Sequence, residues 1–142
     1  MFSFGSTALI LFVYHDSEFA KPKNVFFGHL ISIIIGIIFS NYIGISYISL
    51  GLSVGLCVTL MMYLKVVHPP AAANPLIALF ADVSYDFILF PVIAGCIALI
   101  TLSYFINRFI FGRVTIEKKI NLKKKLKNLR PKRKKTRKSK AA

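Results

Sequence analysis

One apolar run constrains this chain more than any other feature, because it extends from Asn24 to Leu64 without a single Lys, Arg, Asp or Glu. A membrane-spanning helix needs about 20 mostly apolar residues, so the run is long enough for two spans joined by a tight turn. Asn, Gly and Ser residues gather between Asn41 and Ser46, which predicts the turn there.

Two further apolar blocks flank this run. The block from Phe87 to Ile106 predicts a last span, with Pro91 in its first turns, where a missing amide donor is tolerated. The block from Met1 to Tyr14 is shorter than a usual span and lacks the basic start and cleavage site of a signal peptide. We interpret it as a short span, a half-span or the remnant of a chain that starts upstream.

These blocks predict an all-α integral membrane protein. Its fold is a small helical bundle with three spans, one short N-terminal span and a broken or re-entrant segment. Cys57 and Cys96 both lie in apolar stretches without metal-ligand spacing, so we expect buried free thiols and no metal site.

The positive charge is concentrated at the C-terminus, where residues 108–142 hold 16 of the 19 Lys and Arg residues. This asymmetry predicts two parts, a transmembrane domain over 1–112 and a basic tail over 113–142. Because Lys and Arg resist translocation, the tail is predicted to be cytoplasmic, with 65–86 on the outer side of a bacterial inner membrane. A full crossing by 69–82 would reverse the sides of everything before it.

The tail is predicted to bind anionic lipid headgroups. Residues 115–129 have a partly helical apolar spacing that suits an amphipathic surface helix, and the sequence beyond Pro131 is typical of disorder. Nucleic acid or ribosomes are the alternative partners, although no aromatic residue follows Phe111 to stack on bases. The basic side chains that would make these contacts include Lys123, Lys124, Lys125, Lys132, Arg133, Lys134 and Lys135.

Small residues recur at every fourth position of the second predicted span and again at the start of the third. They are Gly28, Ser32, Gly36, Ser40 and Gly44 in the former, and Gly51 and Gly55 in the latter. Such rows allow close backbone approach, so we expect the two rows to face each other in helix packing. So few helices rarely enclose a path alone, which favours a homo-oligomer.

The connector between the last two spans is the strongest candidate for a site. Its His68-Pro69-Pro70 and Asn74-Pro75 breaks, followed by a short apolar stretch, predict an element that folds back into the bundle. Helix N-termini at such breaks, together with Lys65, His68 and Asn74, would offer donors to an anion. The alternative is a kinked connector in which His68 bonds a carbonyl.

His29 is the other ionisable candidate within the apolar segments. Ionisable groups at membrane depth are costly and suggest function, whereas a residue so near the span end also suits the interface. If His29 and His68 converge, they would form an access site or a proton pair.

Several of these segments resemble the HPP family of integral membrane proteins. The matching residues are Phe4-Gly5-Ser6-Thr7-Ala8, Ala20-Lys21-Pro22-Lys23-Asn24-Val25, Gly28-His29, His68-Pro69-Pro70-Ala71, Pro91 and Gly95. The resemblance covers residues 4 to about 107 and implies a bundle of about four spans with a proposed transport activity linked in some members to nitrite. The chain departs from the family in lacking an upstream apolar span and in having Asn74-Pro75 after the motif.

We therefore expect a transporter or channel subunit for a small solute, with an anion such as nitrite as the example. The candidate solute or pore residues are His29, Lys65, His68, Pro69, Pro70 and Asn74. A non-transporting anchor that recruits lipid, RNA or ribosomes through its tail is the alternative. No catalytic or cofactor-binding motif is present in the sequence, so neither an enzyme nor a cofactor is predicted.

Overall fold

The structure is a computed structural model that describes residues 2–111. Residues up to Asn107 form one compact unit. The basic tail over 113–142 lies outside the described residues. The surface helix, the disorder and the contacts with anionic partners that the sequence predicts for it therefore stay predictions. The predicted domain boundary at 112 lies there too and stays a prediction.

The described residues 2–111 are helical and contain no strand. Five α-helices follow in chain order: α1 (Phe2–Val13), α2 (Pro22–Tyr42), α3 (Tyr47–Tyr63), α4 (Asn74–Ala81) and α5 (Ala94–Ile106). Short 3₁₀ turns occupy Glu18–Ala20 and Pro69–Ala73, and wider π-type turns occupy Ile88–Ile93 and Asn107–Phe111. The all-α prediction is confirmed for this part of the chain.

The turn between α2 and α3 lies where the sequence predicts it. Gly44 follows the end of α2 with a φ of 78°, a left-handed conformation that glycine adopts without a steric penalty. The Ser46 hydroxyl accepts the Ser49 N–H and the Ser49 hydroxyl accepts the Ser46 N–H, a reciprocal cap that starts α3.

Two described helical segments are long and apolar enough to cross a membrane. They are Pro22–Tyr42, with 21 residues, and Ile88–Phe109, with 22 residues. α3 has 17 residues, at the lower limit of spanning length, and α1 has 12. Two of the three predicted spans therefore meet the length criterion, and the number of crossings stays a prediction.

The compact unit exposes apolar side chains and buries polar ones, the reverse of a water-soluble bundle. Tyr47 is 96% exposed, Phe90 is 77% exposed and Ile48 is 73% exposed. The buried polar residues are Ser3, Thr7, Asn24, His29, Ser32, Ser49, Ser53, His68, Asn74 and Ser103. Large exposed apolar surface is unfavourable in water but suits lipid, so the packing agrees with a membrane protein.

α2 is the central helix, and α4 packs directly against it. A Cβ added to Gly36 would lie 2.6 Å from the Ala78 Cβ and 2.8 Å from the Pro75 Cα, so only glycine allows this approach. The connector therefore packs against the bundle, and whether it re-enters the membrane or crosses it stays a prediction. Its depth in the membrane stays a prediction.

The expectation that the two small-residue rows face each other is wrong. A Cβ added to Gly51 or Gly55 would have no atom within 4 Å, and Gly44 lies in the turn with equally open space. α3 instead buries Ser49, Ser53, Cys57 and Met61. Of these, Ser49, Ser53 and Cys57 each lie two positions from a glycine, and two residues rotate a helix by about 200°, so the glycines face outward.

The partners of the α2 row are the connector and α4. A Cβ on Gly28 would lie 2.8 Å from the His68 Cβ. The Ser40 hydroxyl donates to the Asp82 carboxylate just beyond α4, at 3.3 Å. The second span thus packs its small residues mainly against the connector and α4, while on α3 Met61 meets Gly28 and Cys57 contacts Ser32.

The last span is not regular through Pro91, contrary to expectation. Phe90 has φ −136° and ψ 119°, outside the helical region, and regular α-helix begins only at Ala94. The residue before a proline is disfavoured in the α conformation, which explains why the break lies at Phe90.

Candidate functional site

Six buried polar side chains from three parts of the fold meet in one hydrogen-bonded group, which we call the polar cluster. Its members are Ser3 and Thr7 of α1, His29 and Ser32 of α2, His68 of the connector, and Asn74 at the start of α4. Because the members come from segments far apart in sequence, the cluster joins α1, α2 and the connector.

His68 is oriented by the backbone on both sides. The proline that follows it favours extended backbone, and His68 has φ −134° and ψ 97°. Its Nδ1 lies 2.9 Å from the carbonyl oxygen of Phe19, which only accepts, so Nδ1 carries a proton. Burial lowers the pKa of His68, the Phe19 hydrogen bond raises it, and burial is the larger effect. In a neutral ring that is protonated at Nδ1, Nε2 is an acceptor.

The Thr7 hydroxyl bridges the two histidines. Its oxygen lies 2.9 Å from His29 Nε2 and 3.0 Å from His68 Nε2. Its single proton faces two acceptors, the Ser3 carbonyl oxygen at 2.9 Å and, in the neutral ring, His68 Nε2. With either of them accepting it, His29 Nε2 is the protonated nitrogen that donates to Thr7. The two neutral rings therefore have opposite tautomers, and their centroids lie 5.2 Å apart.

Asn74 completes the hydrogen bonding of His29. Its amide nitrogen lies 2.9 Å from His29 Nδ1 and donates to it, and the same nitrogen donates to Ser32 Oγ at 3.1 Å. The amide oxygen accepts from Ser3 Oγ at 2.7 Å. This orientation of the amide agrees with the tautomer that Thr7 requires, so every ring nitrogen of both histidines has a partner of the right type.

A cleft of about 350 Å³ lies next to the start of the connector. It is lined by Glu18, Phe19, Asn24, Met62, Lys65 and Val67. Phe19 is the carbonyl partner of His68, and Val67 is its chain neighbour, so two of the lining residues are linked directly to His68. Lys65 is exposed here and does not belong to the cluster.

A family profile described as HPP, transmembrane region, matches residues 1–115. The chain belongs to the HPP transmembrane family. Two transmembrane proteins of Dictyostelium discoideum are similar to it, one 27% identical over 115 residues and the other 26% identical over 117 residues. Each alignment covers 75% of this chain but only 40% and 37% of the relatives, so the chain spans about two fifths of their length. No solved structure matches.

The membership confirms the resemblance seen in the sequence, and several of the HPP-like segments meet in space. Phe4 contacts His29 edge to face, with ring centroids 5.0 Å apart. A Cβ on Gly95 of α5 would overlap the Phe4 ring. The absence of a side chain at Gly95 therefore makes room for the ring that supports His29.

Sequence reasoning named three of the six cluster residues as site candidates, namely His29, His68 and Asn74. Pro69 is exposed and Pro70 is half-buried, and both shape the connector but take no part in the hydrogen bonds of the cluster. Ser3 and Thr7 were missed as site residues in this HPP chain. Their signal was the four-residue spacing of hydroxyls on a short apolar helix, a face that continues to Leu11 and is buried.

Proposed function

We propose that this HPP chain is a subunit of a transporter or channel for a small solute, an anion such as nitrite, and that the polar cluster lies on the solute path. The observation that carries the proposal is the cluster itself, in which two imidazoles are fully buried in a protein with an apolar exterior. Burying ionisable groups at membrane depth is costly, and packing alone does not require it.

The cleft is the proposed approach to the cluster. Lys65 lines it, and Lys23 near the start of α2 is exposed, so their combined field attracts anions. Glu18 at the cleft is paired with Lys21, with their charged atoms 2.6 Å apart. This pairing reduces the repulsion that a free carboxylate would exert on an anion.

Passage of the solute requires the connector to move. The N–H groups of His68, His29 and Asn74 are donors that suit anion oxygens, but each is engaged by a protein acceptor. An anion replaces those acceptors when His68 withdraws from Phe19 and Thr7. The interface between the connector and α1 is therefore the proposed gate.

The proposed orientation places the cleft outside and the basic tail in the cytoplasm, since Lys and Arg resist translocation. We also propose that the chain forms a homo-oligomer and that its tail binds anionic lipid headgroups. The bacterial inner membrane stays a prediction.

The transport proposal is tested with the full chain reconstituted in lipid vesicles. We expect nitrite uptake above that of protein-free vesicles, and loss of this uptake in His68→Gln. The matched control is His15→Gln, since His15 is the third histidine and lies in the loop before α2. Uptake equal to protein-free vesicles refutes the proposal for nitrite.

A purely structural role for the cluster gives a different result. His68→Gln then lowers the stability of the protein while uptake per folded molecule stays at the wild-type value. Measuring the folded fraction by gel filtration beside the uptake separates the two outcomes.

The alternative, an anchor without transport, rests on the 16 basic residues in 108–142. It predicts that deletion of 113–142 abolishes a salt-sensitive association with anionic vesicles or RNA, whereas His68→Gln leaves that association unchanged.

A further inference from the structure

We propose that Thr7, His29 and His68 form a binding site for one proton, taken up on His68 Nε2, and that this proton is the coupling ion of transport. The coupling part rests on the function proposed above. The binding part rests on the hydrogen-bond geometry of the three residues, which we call the proton site.

The geometry has one vacant position for a proton. The Thr7 oxygen lies 2.9 Å from the carbonyl oxygen of Ser3, one turn earlier in α1, as well as near both Nε2 atoms. Rotation of the Thr7 hydroxyl towards Ser3 releases His68 Nε2. A proton delivered by hydronium then forms an N–H bond with that nitrogen and leaves a water molecule, and no bond between heavy atoms forms or breaks.

The protonated state keeps every partner matched. Both Nε2–H groups then donate to the two lone pairs of the Thr7 oxygen, and the Thr7 hydroxyl donates to the Ser3 carbonyl. His68 Nδ1–H still donates to Phe19. The neutral and protonated states therefore differ by the rotation of one hydroxyl, without movement of a helix.

A second proton has no such place. It would add to His29 Nδ1, which faces the amide nitrogen of Asn74 at 2.9 Å, and two donors would then oppose each other. It would also create two buried, positively charged rings whose centroids lie 5.2 Å apart, and these would repel each other. The proton site is thus limited to a single positive charge.

Other ionisable groups around the proton site do not supply a counter-charge. α1 and α4 have no ionisable side chain, and on α5 Cys96 is a buried free thiol. The remaining ionisable side chains on or beside the packed elements are Tyr14, His15, Asp16, Glu18, Lys21, Lys23, Tyr42, Tyr47, Cys57, Tyr63, Lys65, Asp82, Tyr85, Asp86 and Tyr104. Among the acids, Glu18 pairs with Lys21, Asp16 lies 3.6 Å from His15 and Asp82 accepts from Ser40, while the Cys57 thiol contacts Ser32. A bound anion is therefore the counter-charge that favours protonation, which links proton and solute.

The proton site is tested by ¹⁵N NMR of the full chain with labelled histidine, across a pH titration. We expect His68 protonated at Nδ1 and His29 at Nε2 when neutral, and conversion of one ring, His68, to imidazolium on acidification. Thr7→Ser retains this titration and Thr7→Val loses it. Two independently titrating buried rings, or an unchanged titration in Thr7→Val, overturns the site.

Coupling is tested in vesicles with an inward proton gradient and nitrite outside. Protein-free vesicles under the same gradient measure the diffusion of neutral nitrous acid through lipid. We expect the gradient to accelerate protein-dependent uptake in wild type and Thr7→Ser, and the acceleration to be lost in Thr7→Val. If the rate of protein-dependent nitrite uptake is the same with and without the gradient, coupling is overturned and the transport proposal stands. If there is no protein-dependent uptake at all, both are overturned.

Discussion

Replacement of Gly36 by alanine tests the placement of the connector, because the predicted and observed partners of this glycine differ. The observed contact puts the new Cβ 2.6 Å from the Ala78 Cβ and 2.8 Å from the Pro75 Cα. Carbon atoms pack at about 3.5–4.0 Å, so α4 must move away from α2 by roughly 1 Å. Asn74 moves with α4, and its 2.9 Å bond to His29 lengthens.

Gly55→Ala is the matched control. A Cβ there meets no atom within 4 Å. Both substitutions gain the same helix propensity, about 1 kcal/mol, so this contribution cancels in the comparison. The difference in unfolding free energy is the cost of overpacking, and we expect Gly36→Ala to be less stable than Gly55→Ala by about 1–3 kcal/mol.

The buried free thiols of Cys57 and Cys96 provide the assay. Pulse modification by a thiol reagent, in detergent micelles titrated with SDS, reports the unfolded fraction at each composition. The measurement is made where the chain is monomeric, so that contacts between copies do not contribute. Equal stability of the two variants, or a larger loss in Gly55→Ala, would refute the packing of α4 on α2 and favour the opposed small-residue rows.

Three further predictions follow from single contacts. Gly95→Ala displaces the Phe4 ring, so we expect a loss of about 1–3 kcal/mol by the same thiol assay and a shifted His29 ring resonance. Ser46→Ala removes the cap of α3 and is expected to cost about 0.5–2 kcal/mol, which Ser46→Asp restores. Ser103→Ala is expected to cost only about 1 kcal/mol, because Asn107 also donates to the Leu11 carbonyl, and the double variant should lose more than the sum.

The elements of this fold are largely readable from sequence because they depend on local signals. Apolar length predicts α2 and the last span, and the Gly44–Ser46 turn follows from backbone conformation and capping. The proline after His68 likewise predicts the extended backbone found there. Each of these signals lies within a few residues of the feature that it determines.

Helix facing was less readable, as the outward glycines of α3 demonstrate. A Gly-x-x-x-Gly pattern indicates that close approach is possible, but it does not say which helix approaches. For Gly28 and Gly36 the partner is the connector, whose path depends on long-range packing. For Gly51 and Gly55 the compact unit supplies no partner within 4 Å.

The contribution of α1 to the site was missed for a related reason. A 12-residue apolar helix is typical of a short span or half-span, and nothing local distinguishes Thr7 from Ser6. Thr7 is buried and Ser6 is exposed because the face of α1 with Ser3, Thr7 and Leu11 turns inward. Which face of α1 is buried is decided only by the helices that pack against it.

The hydrogen bonds of the cluster explain why its residues belong together. His68 Nδ1 must donate because Phe19 presents a carbonyl, and Asn74 donates to His29 Nδ1, so in the neutral rings both Nε2 atoms face the Thr7 hydroxyl, that of His68 as an acceptor and that of His29 as a donor. Removal of the Thr7 hydroxyl leaves two ring nitrogens without a partner, at about 1–3 kcal/mol each when buried. The effects of substitutions within the cluster are therefore expected to be non-additive, as in any network with one shared hydroxyl. That dependence on a single rotatable hydroxyl is also what lets one proton, and not two, be taken up without rearranging the helices.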